Sequence, residues 1–303
     1  MQKNPVFSVL LFASILLGTA SAQTGSSNTG EQNTVTLLER HKALTSQLSS
    51  NVYGRPIYLE SIETSSMVTG DVYAVLSSPF STVSTTFKNS NHWCDVMILH
   101  INTKHCRAVA GSNPATLKVH IGKKTPQTLQ ESFPLDFTMR QVNATASLLV
   151  VQLNAENGPM GTSNYRTELQ AVPLEDNKTF MHLRYSYEYG VAGRLAMQGY
   201  LATAGRSKVG FSTKTPATTN AKASYVGGAR GAVERNTMRY FLAIDAYLQA
   251  LQQPPTQQVN TRLEKWFDST EQYPLQLRET DKTSYMEMKK SEIQRQQAST
   301  PIL

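Results

Sequence analysis

"DVYAVLSSPFSTVSTTFKNSNHWCDVM", residues 71–97, decides how this chain folds. Asp71 to Leu76 alternates as a half-buried strand does. Ser78-Pro79 then starts a helix, with Ser as N-cap and Pro in the first turn. Phe80, Val83 and Phe87 share one face of that helix, which should end near Asn89. Beyond it, "DVMILHI" (residues 95–101) is a continuous apolar run that reads as a strand buried on both faces.

Working outward, the same grammar repeats. "RPIYLESIE" before this stretch and "CRAVA", "TLKVHIG", "FPLDFTMRQVN" and "ASLLVVQLNAE" after it read as strands. "NGPMGT" (157–162) is a hairpin turn, returning through "YRTELQAVPL". "EDNK" then turns the chain into "TFMHLRYSYEY". There Met181, Leu183, Tyr185, Tyr187 and Tyr189 share one face, and His182, Arg184, Ser186 and Glu188 the other. The pattern changes after this antiparallel meander. Residues 191–211 are Ala-rich and predict helix at first, and "KTPATTNAKASY" predicts a polar loop. "GGARGAVERNTMRYFLAIDAYLQALQQ" predicts a long helix whose apolar stripe is Phe241, Ile244, Leu248 and Leu251.

The two ends are polar. Lys3, the apolar run Val6 to Gly18 and the small residues Ala20-Ser21-Ala22 form a signal peptide, with Gln23 first in the mature chain. The run is short of the roughly 20 residues of a membrane span, so the expectation is a periplasmic or secreted protein. Residues 23–33 lack apolar content and predict disorder, and residues 34–51 predict a short amphipathic helix. After Pro254-Pro255 the chain is partly amphipathic, and residues 289–303 read as a solvated tail. The expected organisation is therefore a signal peptide (1–22), a flexible segment and short helix (23–50), a main domain (51–253) and a C-terminal helical extension with tail (254–303).

Both cysteines and three of the six histidines fall within residues 91–106. Cys94 and Cys106 could pair, hold a metal, or supply a reactive thiol. Export favours the disulfide. The spacing of His92, Cys94, His100, His105 and Cys106 fits no usual zinc pattern. A tight hairpin at Asn102-Thr103 would put Cys106 opposite residue 99 or 100. The bridge therefore needs Cys94 off that ladder, as where a helix hands over to a strand.

Strand, helix opening at Ser-Pro, a run of antiparallel strands and a long late helix together resemble the START-like helix-grip superfamily of lipid-transfer domains and polyketide cyclases. Residues 71–97 carry most of the likeness, with the Ser-Pro helix start and the Trp that follows it. The resemblance implies an α+β fold in which a curved antiparallel sheet grips the late helix, with extra N- and C-terminal helices. It implies a cavity between sheet and helix for a hydrophobic or amphipathic small molecule, and no catalytic residues.

Candidate ligand residues are Tyr185, Tyr187 and Tyr189 on one face of the last strand. His182 and Arg184 take their place if the other face turns inward. Arg230 in "GGARG", at a helix N-terminus that favours anions, could join Arg206 and Lys208 around an acidic head group. No cofactor or metal is called for. The formal charge of +7, or +6 without Lys3, suggests an anionic membrane surface or cell-wall polymer as partner. The scattered basic residues and the compartment argue against nucleic acid. No G-x-S-x-G, S-x-x-K, H-E-x-x-H or Walker loop occurs. Asp95, His100 and His105 could be imagined with a serine, but such groupings arise by chance. An exported, non-catalytic carrier is the first reading. An envelope interaction protein is second, and a cyclase- or hydrolase-type enzyme third.

Overall fold

The computed structural model describes residues 25–112, 114–190, 193, 195, 199, 208–215 and 224–298. The expected signal peptide 1–22, Gln23 and Arg206 lie outside them. Helices α1 (Gly25–Ala43) and α2 (Thr45–Ser49) lead into the hairpin β1 (Ile57–Glu63) and β2 (Met67–Leu76). Two helices follow, α3 (Phe80–Phe87) and α4 (Ser90–Met97). Six strands come next: β3 (Thr103–Ala108), β4 (Ala115–Ile121), β5 (Phe133–Ala144), β6 (Leu149–Asn157), β7 (Thr162–Pro173) and β8 (Thr179–Tyr189). A small hairpin, β9 (Thr213–Thr215) and β10 (Ser224–Tyr225), precedes the long helix α5 (Gly228–Ala250). The chain ends in α6 (Pro255–Glu271), α7 (Pro274–Leu277) and α8 (Lys282–Ala298).

Strands β1 to β8 form one antiparallel sheet in the order β1-β2-β8-β7-β6-β5-β4-β3. The strand before the Ser-Pro helix thus pairs with the last strand of the meander, and α5 crosses the inner face over β1, β2 and β8. This is the α+β helix-grip arrangement, an antiparallel sheet with the late helix across it and further helices at both ends. One glycine makes it possible. A Cβ at Gly70 of β2 would collide with Thr237 Oγ1 of α5, so the helix lies directly on the strand.

The inner layer is completed by α4 against β3 and β4 and by α6 against α5. The outer face is covered in part by α1 and α2, whose Leu37, Leu44 and Leu48 pack with Tyr73, Val150, Val172 and Phe180.

Four expectations change. "DVMILHI" is no strand: Asp95 to Met97 end α4, and Ile98 to Asn102 turn into β3. Asn89 caps α4 by accepting from the Asn91 amide. Trp93, Val96 and Met97, spaced three and four apart, then fill the core from one helical face. An apolar run this short cannot be told from a buried helix by periodicity alone.

Residues 25–33, expected to be disordered, open α1. The segment expected to be a polar loop contributes β9 and β10 at its two ends. Residues 289–298 of the expected tail belong to α8, with Tyr285, Met288, Lys289 and Glu292 of that helix buried, and residues 299–303 lie outside the described residues. The buried stripe of α8 is half charged, so it carries no apolar period. The helix expected within residues 191–207 falls outside the described residues, apart from three isolated positions.

Candidate functional site

Strand β8 divides the candidate residues between two faces. Tyr185, Tyr187 and Tyr189 point to the inner face and are buried in the main core. The Tyr187 ring stacks on Tyr165 of β7 at 5.3 Å between centroids. Tyr185 meets Tyr240 of α5 at 5.3 Å. Tyr240 in turn stacks on His100 at 4.9 Å. An aromatic row therefore runs from β7 and β8 across to the turn after α4.

The hydroxyls along this row differ. Tyr189 donates to Thr64 O at 3.2 Å, and Tyr165 shares a 2.8 Å hydrogen bond with Thr162. The phenols of Tyr185, Tyr187 and Tyr240 have no hydrogen-bond partner among the described residues. Burial pushes all three above the ordinary phenol pKa, so they stay protonated donors. Tyr240 is enclosed enough to be strongly desolvated yet keeps accessible surface. So do Asn236 and Ala232, one and two turns earlier on the same helical face. Their neighbours Val233, Thr237 and Phe241, which pack toward the sheet, are buried. That face of α5 is therefore the part of the helix that the core covers least.

His100 sits at the end of the row, 4 % exposed. Its Nδ1 accepts from the Asn102 amide at 3.2 Å, which leaves Nε2 to carry the proton. Nε2 is buried without a hydrogen bond of proper geometry. Burial, reinforced by Arg239, Lys289 and Lys124, holds its pKa well below the ordinary value, so the ring is neutral.

His182 and Arg184 lie on the outer face and never meet the tyrosines. Both hold Asp71: His182 Nε2 at 2.6 Å and Arg184 Nε at 2.8 Å. Burial alone would raise the Asp71 pKa, but these two hydrogen bonds outweigh it and lower it. Tyr73 stacks on the His182 ring at 4.3 Å. Beside this cluster Gln152, Asn154, Arg166, Glu168, Arg184 and Ser186 line an open polar groove of about 530 Å³.

Arg230 is drawn to neither place. Its Nε donates to Ser61 Oγ of β1 at 2.8 Å, and its amide donates to Glu63 at 3.2 Å. The α5 N-terminus therefore already faces a carboxylate of its own chain. Lys208 turns away to the C-terminal segment, donating to Arg278 O at 2.8 Å.

The cysteines are joined. Cys94 of α4 and Cys106 of β3 form a disulfide with their Cα atoms 5.1 Å apart, across the handover from helix to strand. The histidines near them scatter: His92 bonds Thr86 O, His100 joins the aromatic row, and His105 lies edge-on to His120.

Tyr240, Asn236 and His100 were missed by the sequence reading. The first two sit four residues apart on one face of a helix that carries many other polar residues, so no spacing set them apart. His100 stood inside the run taken for a strand.

No family model and no curated protein matches this chain. Solved structures do match. Ara h 8.0201 aligns at 9 % identity over 61 % of this chain and 99 % of its own, with a TM-score of 0.36. A norcoclaurine synthase from Thalictrum flavum aligns at 15 % identity over 48 % and 93 %, with a TM-score of 0.33. The human StAR-related lipid transfer protein 5 aligns at 8 % identity over 58 % and 90 %, with a TM-score of 0.30.

Proposed function

We propose that this chain is an exported, non-catalytic binding protein for a hydrophobic or amphipathic small molecule, held between the inner face of the sheet and α5. The observation that carries the reading is Tyr240: deep between β8 and His100, yet half-buried and with an unbonded hydroxyl. The Tyr185, Tyr187 and Tyr240 hydroxyls have no protein partner among the described residues and are donors, which favours a guest that accepts hydrogen bonds. Aromatic walls with a few convergent polar atoms suit a guest that is mostly apolar. Export rests on the signal segment. An anionic membrane surface or cell-wall polymer remains a partner proposed from the basic charge alone.

The test is titration of the full mature chain with Nile red, a neutral hydrophobic probe, against the Asn236→Trp variant. Saturable blue-shifted fluorescence in the wild type is expected, lost in the variant with little change in melting temperature. If Asn236→Trp overpacks a solid core it will instead destabilise by about 1–3 kcal/mol. That result, with no probe bound by the wild type, would remove the reading.

A further inference from the structure

The far end of the aromatic row carries more positive than negative charge. Glu279, between α7 and α8, receives three cations at once. Lys124 Nζ and Arg239 Nη2 each approach Oε1 at 2.7 Å, and Lys208 Nζ approaches Oε2 at 3.0 Å. One carboxylate cannot balance three cations, and the neighbouring cluster adds to the surplus. There Lys104 and Lys289 share Glu292. Among the described residues that is five cations on two carboxylates, in surroundings dry enough to lower the pKa values of Lys104, Lys124 and Lys289 by burial. Uncompensated charge is costly away from water. A second observation points the same way: His100, stacked on Tyr240 and acted on by Arg239, Lys289 and Lys124, has the Asn236 side chain beside it, and its Nε2 is buried there without a hydrogen bond of proper geometry.

We propose that Lys124, Lys208 and Arg239 form a site for an anionic group, a carboxylate or phosphate, with Glu279 as its resident stand-in. This rests on the guest lying along the tyrosine row, and it makes the guest an acidic amphiphile. The accesses differ in a way that suits it. Arg239 and Glu279 are buried, whereas the Lys124 and Lys208 side chains keep 29 % and 21 % exposure. The two lysines can follow an incoming anion while Arg239, fixed beside Tyr240 on α5, marks the end of the row. An acidic head would displace Glu279, loosening the segment between α7 and α8 as it binds.

The full mature chain is titrated calorimetrically with oleate, with oleyl alcohol of the same chain, and with inorganic phosphate. Oleate should bind at least tenfold tighter than the alcohol, and Lys124→Gln should abolish that ratio while leaving alcohol affinity unchanged. Glu279→Gln, which removes the competing carboxylate, should tighten oleate several-fold. Lys208→Gln repeats the test on the opposite carboxylate oxygen if Lys124→Gln fails to fold. Equal binding of acid and alcohol, unaltered in the variants, overturns the anion site and leaves the hydrophobic-guest reading standing. Phosphate binding that Lys124→Gln removes, with neither lipid bound, supports the site with a free anion as its ligand and ends the guest reading. Binding of none of the three ends both.

Discussion

Lys104 Nζ lies 3.1 Å from Glu292 Oε1, and neither side chain is open to solvent. The pair ties β3 to α8 across most of the chain. Lys289 Nζ takes the other carboxylate oxygen at 2.7 Å and also donates to Thr103 O at 2.7 Å. Removing Glu292 would leave two buried ammonium groups without a counter-charge. Glu292→Gln should therefore cost about 3–5 kcal/mol, read by urea unfolding. A loss under 1 kcal/mol would mean that water reaches the cluster.

The same cluster sets a pH dependence. Burial pushes the Lys289 ammonium down to about 8 from its ordinary 10.5. Between those values the unfolded chain holds more protons than the folded one, so stability rises with pH across the window. The gain from this group is about 3 kcal/mol. Phenols held up by burial, such as Tyr285, act oppositely, their stabilisation being lost once pH passes the unfolded value near 10. A rise from pH 8 to 10 that is reduced in Lys289→Met is expected, Lys104 and Lys124 being lowered by burial as well. A flat profile in the wild type would count against it.

Glu234 is a wholly buried carboxylate at the start of α5. It accepts the amides of Phe211 at 2.6 Å and Ser212 at 2.9 Å, and the hydroxyl of Ser61. Those amides have no other means of satisfaction if the carboxylate is cut back. Glu234→Ala should cost about 2–4 kcal/mol, since each stranded buried donor costs about 1–3. Protease cleavage within residues 208–215 should speed up in parallel. Unchanged cleavage would show that the segment is held by other contacts.

Much of this fold was legible because its strands alternate and its turns are chemically marked. Ser78-Pro79, Asn157-Gly158 and the Tyr-x-Tyr-x-Tyr of β8 each gave local signals that packing then respected. The second half of α4 was not legible, since a short apolar run without a period suits strand and helix equally. The burial of α8 was hidden for another reason: Lys289 and Glu292 occupy core positions as an ion pair, and charge reads as solvent. The site was half legible. The tyrosine face follows from alternation, but His100, Lys124, Arg239 and Glu279 meet only in three dimensions and share no spacing.

The disulfide between Cys94 and Cys106 closes a loop of sequence separation 12. On the chain-entropy account such a bridge contributes about 3 kcal/mol. Mature protein alkylated without reductant should carry no modified cysteine, and the double variant Cys94→Ala, Cys106→Ala should lose roughly that stability. Two alkylated cysteines in freshly isolated protein would show that the bridge is not formed in its native compartment.

The last prediction separates α8 from the residues that follow it. Trimming residues 299–303 should leave the melting temperature unchanged, because the buried contacts of α8 stop earlier. Deleting residues 282–303 removes Tyr285, whose hydroxyl donates to Leu99 O at 2.9 Å. It also removes the Gln296 oxygen that accepts the Cys106 amide at 3.0 Å and both groups that flank Lys104. The Lys104 ammonium would then face water through an opened core beside the stack of Tyr285 on Trp266, whose centroids lie 4.9 Å apart. Loss of one large buried aromatic alone costs about 3–5 kcal/mol, a large part of the 5–15 kcal/mol that holds a domain folded. The shortened chain should be unfolded or aggregated by circular dichroism, whereas a chain ending at Ala298 should melt as the wild type does. If the deletion to Thr280 or Asp281 stays folded with an unchanged transition, α8 is an appendage and the ion cluster carries no structural weight.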